Sequence, residues 1–302
     1  MVALGIPFEG DARHDGTTSS ATAVGASEGG ALHLAHSPCP NDTFIYHAWT
    51  SGLIDGAPAT RLTFADIDVT NSACARGEFD VAKVSYAALP HLGPEWRLLP
   101  AGGALGRGCG PLVLTGPGGL ADLEGRKIAV PSDRSTAFLL FNLWLRNLGS
   151  PEVVVEVVPF DQIMPAVREG RYDAGLVIHE ARFTYGEYGL RSMVDLGEWW
   201  EGSTGAPIPL GAIVAKSHLD TDAITAAIRA SLDHAWAHPE DSRAYIAEHA
   251  QEMSEEVCRK HIELYVNEFS RDLGDEGRAA VRRLLGGAAE LGLVPELGIA
   301  IP

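Results

Sequence analysis

Lys127-Ile128-Ala129-Val130-Pro131 is a short apolar run broken by a proline, and Ser132-Asp133-Arg134-Ser135-Thr136 follows it as a polar turn. Ala137 to Leu148 then recurs with helical spacing. An apolar run of this length bounded by turn residues reads as a buried strand, and a Ser/Thr pair before a periodic apolar stretch reads as a helix start. The pattern continues with a β-branched strand at Val153–Pro159, a helix at Gln162–Glu169 closed by Gly170, and a strand at Ala174–His179. Strands alternating with crossover helices predict a mostly parallel sheet.

The same alternation precedes this stretch. Leu32–His36, the run Leu62, Phe64 and Ile67, and Val81–Tyr86 read as strands, with helices over Phe44–Trp49, Val69–Gly77 and Ala87–Leu92 between and after them. Pro111–Thr115 and Leu210–Ala215 read as further strands, and 221–238, 239–250, 254–270 and 275–291 show helical spacing. Two α/β units with a returning strand predict two lobes about a hinge and a central cleft: 31–115 plus 209–302 in one, 116–208 in the other. The chain crosses between them near Gly116–Gly119 and Gly205–Pro209. Ligands of such folds bind where the lobes meet, at the carboxyl ends of strands.

Composition narrows the class of partner. The chain has 302 residues and a formal net charge of −17, with no stretch rich in Lys and Arg, so nucleic acid is not an expected partner. No run of 18 apolar residues predicts a membrane span. Residues 1–30 are rich in Gly, Ser, Thr and Ala without a signal-peptide core, and read as a disordered extension of a cytoplasmic protein or as a misassigned start. The four cysteines (Cys39, Cys74, Cys109 and Cys258) show no metal or redox spacing and read as reduced thiols.

The candidate chemistry follows strands and precedes helices. Ser37, Asn41, Asp42 and Thr43 follow the first strand, Lys83, Ser85 and Tyr86 close the third, and Ser135 and Thr136 open the helix of the second unit. Backbone N–H groups at a helix start suit a carboxylate, with Ser/Thr hydroxyls as added donors or as simple caps. Lys83 alternates with Val84 and reads, alone, as a strand residue on a polar face. Cys39 has no histidine at local spacing and reads as inert. His179 ends an apolar strand beside Glu180, where an imidazole can serve as general base or as a structural strand end.

Three segments carry a resemblance. Ser37-Pro38-Cys39-Pro40-Asn41-Asp42-Thr43-Phe44, Lys83-Val84-Ser85-Tyr86 and Ile178-His179-Glu180-Ala181-Arg182-Phe183-Thr184-Tyr185 together resemble the 1,4-dihydroxy-6-naphthoate synthases of the futalosine route to menaquinone, in order over about residues 32–300. The resemblance implies a fold like type II periplasmic solute-binding proteins. It implies a lyase acting on cyclic dehypoxanthinyl futalosine without metal or cofactor, releasing the naphthoate and dihydroxyacetone. The family's catalytic base falls on His179, and its ligand-binding positions fall on Lys83, Val84, Ser85, Ser135 and Thr136. Asn41 and Thr43 join them by motif position and donor chemistry, and Arg107 by its place in the glycine-rich stretch before Pro111. Chorismate dehydratase, a sister fold, and a transport receptor are the alternative readings. The C-terminal helices can pack on their own lobe or pair two copies as a homodimer.

Overall fold

The computed structural model describes residues 30–250 and 254–302. The expected N-terminal extension, Gly30 apart, lies outside the described residues.

The first half of the chain runs β1 (Leu32–His36), α1 (Pro40–Thr50), β2 (Thr60–Phe64), α2 (Ile67–Ala75), β3 (Val81–Ser85) and β4 (Trp96–Gly106). The second unit runs β5 (Leu112–Thr115), β6 (Arg126–Val130), α3 (Thr136–Asn147), β7 (Val153–Val157), α4 (Phe160–Arg168), β8 (Ala174–Val177), α5 (Ala181–Thr184), β9 (Arg191–Asp195) and α6 (Leu196–Thr204). The return strand β10 (Ile208–Lys216) precedes α7 (Thr221–Ala237), α8 (Pro239–His249), α9 (Glu255–Tyr265), α10 (Glu268–Arg271) and α11 (Gly274–Glu290).

Two five-stranded sheets result, ordered β2-β1-β3-β10-β4 and β7-β6-β8-β5-β9. In each, three strands are parallel, and the fourth position is taken by an antiparallel strand: β10 beside β3, and β5 beside β8. The parallel strands are joined by crossover helices, as the alternating pattern demands. Helix α3 shows why the sequence folds this way locally. The Ser135 hydroxyl accepts the Phe138 N–H at 3.1 Å, and Leu140, Phe141, Trp144 and Leu145 bury one stripe. One apolar cluster runs through both lobes, joining Val84 and Ala212 of the first sheet to Ile128 and Val130 of the second and Phe141 of α3. The C-terminal helices pack on their own chain: Ile224 and Ile228 of α7 meet Ile45 of α1 in the first lobe's core.

Two expectations are corrected, and one strand is added. Residues 112–115 form β5 in the second sheet, paired with β8 and β9, so the chain leaves the first lobe at 107–111 and not near Gly116–Gly119. It returns at 205–207, within the expected segment. The glycine-rich stretch Gly102, Gly103 and Gly106, where the sequence pattern places no strand, belongs to β4. Its glycines are there because neighbours take the space of a side chain. At Gly102, with φ +82°, a Cβ would lie 2.3 Å from the Tyr46 hydroxyl. The single helix expected over 254–270 breaks at Asn267, which caps α10 reciprocally with Ser270 and donates to the Leu105 carbonyl at 3.0 Å.

The crossings are braced by named side chains. Arg182 donates to the Gly110 carbonyl at 2.8 Å and pairs with Asp195, whose other oxygen caps α6 at Gly197 N, 2.8 Å away. Backbone meets backbone here, since a Cβ on Gly110 would fall 2.1 Å from Gly197 N. Gly110→Ala is therefore expected to cost about 1–3 kcal/mol by overpacking. A urea midpoint lowered at unchanged m value is the expected result.

Candidate functional site

A cavity opens between the lobes, where the ligands of two-lobed α/β folds bind. Its walls come from the turn after β1 and the start of α1, from β3, from the start of α3, from the turn after β8, from β10 and from α9.

The first-lobe wall is organised by a buried ion pair. The turn Ser37-Pro38-Cys39 delivers Pro40 to the first position of α1, where its missing N–H costs nothing, and Asp42 falls in the first turn. Lys83 Nζ donates to the Asp42 carboxylate, and both residues are at most 5% exposed. Asp42 also accepts from Ser37 Oγ at 2.8 Å and from Asn41 Nδ2 at 2.9 Å. Lys83 thus does not sit on a polar surface face, as its alternation suggested. Strand alternation turns Lys83 and Ser85 toward the cavity and sends Val84 into the core, off the lining. Ser85 is held by Asn71, which donates to its hydroxyl at 3.1 Å and accepts its N–H at 2.8 Å.

The second-lobe wall presents Ser135, Thr136 and Ala137 at the start of α3. Both hydroxyls are already used. Ser135 Oγ donates to the Ser132 carbonyl at 3.3 Å while capping Phe138, and Thr136 Oγ1 donates to the Leu210 carbonyl at 2.8 Å while accepting the Ala87 N–H at 3.2 Å. The donors left for an anion are the first-turn backbone N–H groups, which have no acceptor within the helix. The Thr136 bonds also tie the lobes across the cleft, as does Ser132 Oγ donating to Asp68 at 2.6 Å.

His179 stands on the same wall just past β8, half-buried, with φ +53°. A non-glycine residue in the left-handed region costs on the order of 1 kcal/mol or more, and such strain concentrates at functional positions. Its Nδ1 lies 3.4 Å from Cys39 Sγ, 140 residues away. Cys39 therefore has the histidine partner that local spacing did not show. Burial opposes a charged ring, but the Cys39 sulfur and the carboxylates of Glu180 and Asp42 outweigh it and raise His179 to about 9.

Besides Val84, two of the expected residues are elsewhere. Arg107 is exposed in the first crossing, donating to Glu276 at 2.7 Å and to the Gly205 carbonyl at 3.1 Å, so it ties both crossings to α11. Thr43 is fully buried and spends its hydroxyl on the Cys39 and Pro40 carbonyls of its own helix. The cavity instead recruits His261 and Tyr265 of α9, which no local motif marks.

Two α/β lobes joined by two crossings around one cleft define a protein of the periplasmic-binding-protein fold. The alkanesulfonate-binding protein SsuA of Xanthomonas axonopodis pv. citri shares that fold with a TM-score of 0.65 at 14% identity, over 89% of this chain and 96% of its own. The family model described as menaquinone biosynthesis matches residues 32–290, and the chain belongs to that family. A Streptomyces coelicolor relative is 59% identical over 273 residues, covering 88% of this chain and 96% of its own. A Thermus thermophilus relative is 45% identical over 266 residues, covering 87% and 96%. Each carries the name 1,4-dihydroxy-6-naphthoate synthase. Among the described residues no helix is long and apolar enough to cross a membrane.

Breaking the buried pair from one side should be costly. Lys83→Met leaves the Asp42 carboxylate uncompensated and is expected to destabilise the fold by about 3–5 kcal/mol in urea unfolding, with much of the loss recovered when Asp42→Leu is added. His179 supplies a second test. Its folded value near 9 lies above the unfolded imidazole near 6.5, so it stabilises the fold fully below about pH 6.5, and that contribution is lost as pH rises through 9. Cys39→Ala removes the sulfur and should bring the His179 ring titration, followed by proton NMR, down toward the ordinary value.

Proposed function

We propose that this chain converts cyclic dehypoxanthinyl futalosine into 1,4-dihydroxy-6-naphthoate and dihydroxyacetone, a carbon–carbon lyase reaction, with His179 as the base. The observation that carries the reading is His179 itself, held in a left-handed conformation on the cleft wall of a chain whose named relatives match it nearly end to end. A cytoplasmic location accompanies this reading.

The substrate carboxylate docks at the Thr136 and Ala137 N–H groups, where the opening of α3 favours an anion. The hydroxyls of Ser135 and Thr136 shape that site without donating to it. His179 takes the proton next to a carbonyl, and electron density moves onto the carbonyl oxygen. Ser85 suits that oxygen, since its own hydroxyl proton remains to donate once Asn71 has donated to it. Elimination and cleavage of the carbon–carbon bond to the three-carbon fragment follow, the proton held by His179 returns to the released fragment, and aromatisation of the new ring draws the reaction forward. Closing the lobes forms the bonds of Ser132 to Asp68 and of Thr136 to Leu210, and brings Cys39 to His179. Closure about the crossings excludes water from the proton transfer.

A ring titrating near 9 is a strong base but carries its proton in most molecules at pH 7. The acid limb of kcat/KM, which reports the free enzyme, is therefore expected to rise toward pH 9. Purified protein incubated with the substrate should form naphthoate, followed by absorbance and mass. His179→Gln should still fold, with a urea midpoint lowered at neutral pH by the lost imidazolium contribution and nearly unchanged above pH 9, and lose about 10²–10⁴-fold in turnover. Chorismate consumed in place of the futalosine derivative would point to the sister dehydratase, and ligand bound without turnover to a receptor.

A further inference from the structure

His261 belongs to no motif, yet it stands on the cavity wall at 1% exposure. Its protonation pattern follows from its neighbours. The Asp42 carboxylate only accepts, so the Asn41 contact to it at 2.9 Å must be the amide Nδ2 donating. That fixes the orientation of Asn41 and places its Oδ1 3.0 Å from His261 Nε2. An amide oxygen only accepts as well, so His261 Nε2 carries a proton. Burial first, then the charges of His179 and Lys83, hold His261 well below the ordinary imidazole range, so the ring carries that one proton alone. Its Nδ1 is left as a bare lone pair, buried and without a hydrogen-bond partner among the described residues.

Buried acceptors are rarely left unmatched, because the desolvation they suffer is repaid only by a donor. We infer that His261 is a substrate-recognition residue, whose Nδ1 accepts a hydrogen bond from a hydroxyl of the bound molecule. The inference rests on the synthase reading for the identity of that molecule. The substrate's ionised carboxylate cannot serve, since it would set lone pair against lone pair. A hydroxyl of the portion released as dihydroxyacetone can. The cleft then reads its ligand by opposite chemistries: backbone donors at α3 for the carboxylate, and a ring acceptor on α9 for the hydroxyl. The orientation of that acceptor is enforced through Asn41 by the ion pair of Asp42 and Lys83.

The test compares the wild-type chain with His261→Phe and His261→Gln on the substrate and on its analogue lacking one hydroxyl of the three-carbon portion. The wild type should prefer the hydroxylated compound about tenfold or more in kcat/KM. His261→Phe should raise KM for the full substrate by a similar factor and erase the preference, while His261→Gln, which keeps an acceptor, should retain part of it. If His261 only props Asn41, His261→Phe lowers both compounds alike and the preference survives, which overturns the inference. Nitrogen-15 spectra of histidine-labelled protein decide independently of turnover. Nδ1 of His261 should be unprotonated in the free chain and displaced when dihydroxyacetone is added. A protonated or unmoved Nδ1 overturns the inference. A wild-type chain that makes no naphthoate sinks the synthase reading instead, and the nitrogen spectra still judge the acceptor.

Discussion

A lysine ammonium and an aspartate carboxylate lie together in the wall of the cleft, almost wholly removed from water. Desolvating two charges costs several kcal/mol each, and their mutual attraction offsets this only when the surrounding polar groups are satisfied as well. Ser37 and Asn41 complete the carboxylate, and Asn41 in turn meets His261. Moving any one of these side chains leaves a buried group unpaired, so the ion pair holds the opening of α1, the end of β3 and the face of α9 in a single arrangement. The cavity keeps its shape because its polar wall has one satisfied solution.

The second lobe answers with fewer charges. It offers a helix start whose hydroxyls are spent on structure and whose backbone N–H groups remain, and a strained histidine whose ring chemistry is set by a sulfur from the opposite lobe. The proposed base is therefore complete only when both lobes are in place. Binding and chemistry are coupled through the same contacts that hold the lobes together.

The alternation of strand and helix was readable because short apolar runs, turn residues and caps are local properties. Ser135 as a cap and His179 as a strand-end imidazole were visible for the same reason. What escaped depends on distance along the chain. Lys83 finds Asp42 41 residues away, Cys39 finds His179 140 away, and Asn41 finds His261 220 away. Strand β4 was hidden because its interior carries Pro100 and two glycines that ordinarily mark loops; the Tyr46 hydroxyl packed against Gly102 and the Gly211 carbonyl packed against Gly103 explain the glycines. Arg107 reads as a ligand residue from its neighbours in sequence, whereas its partners in space are the Glu276 carboxylate of α11 and the Gly205 carbonyl of the second crossing.

The placement of β10 between β3 and β4 bears on how the molecule is assembled during synthesis. The second sheet is contiguous in sequence, from β5 to β9, and can close as soon as its last strand leaves the ribosome. The first sheet cannot. Among the described residues its β4 pairs with no strand other than β10, which is made only after the whole second lobe. The earlier lobe in sequence is the later one to be completed, and until β10 arrives β3 and β4 present open edges, the strand surfaces most prone to pair with another chain.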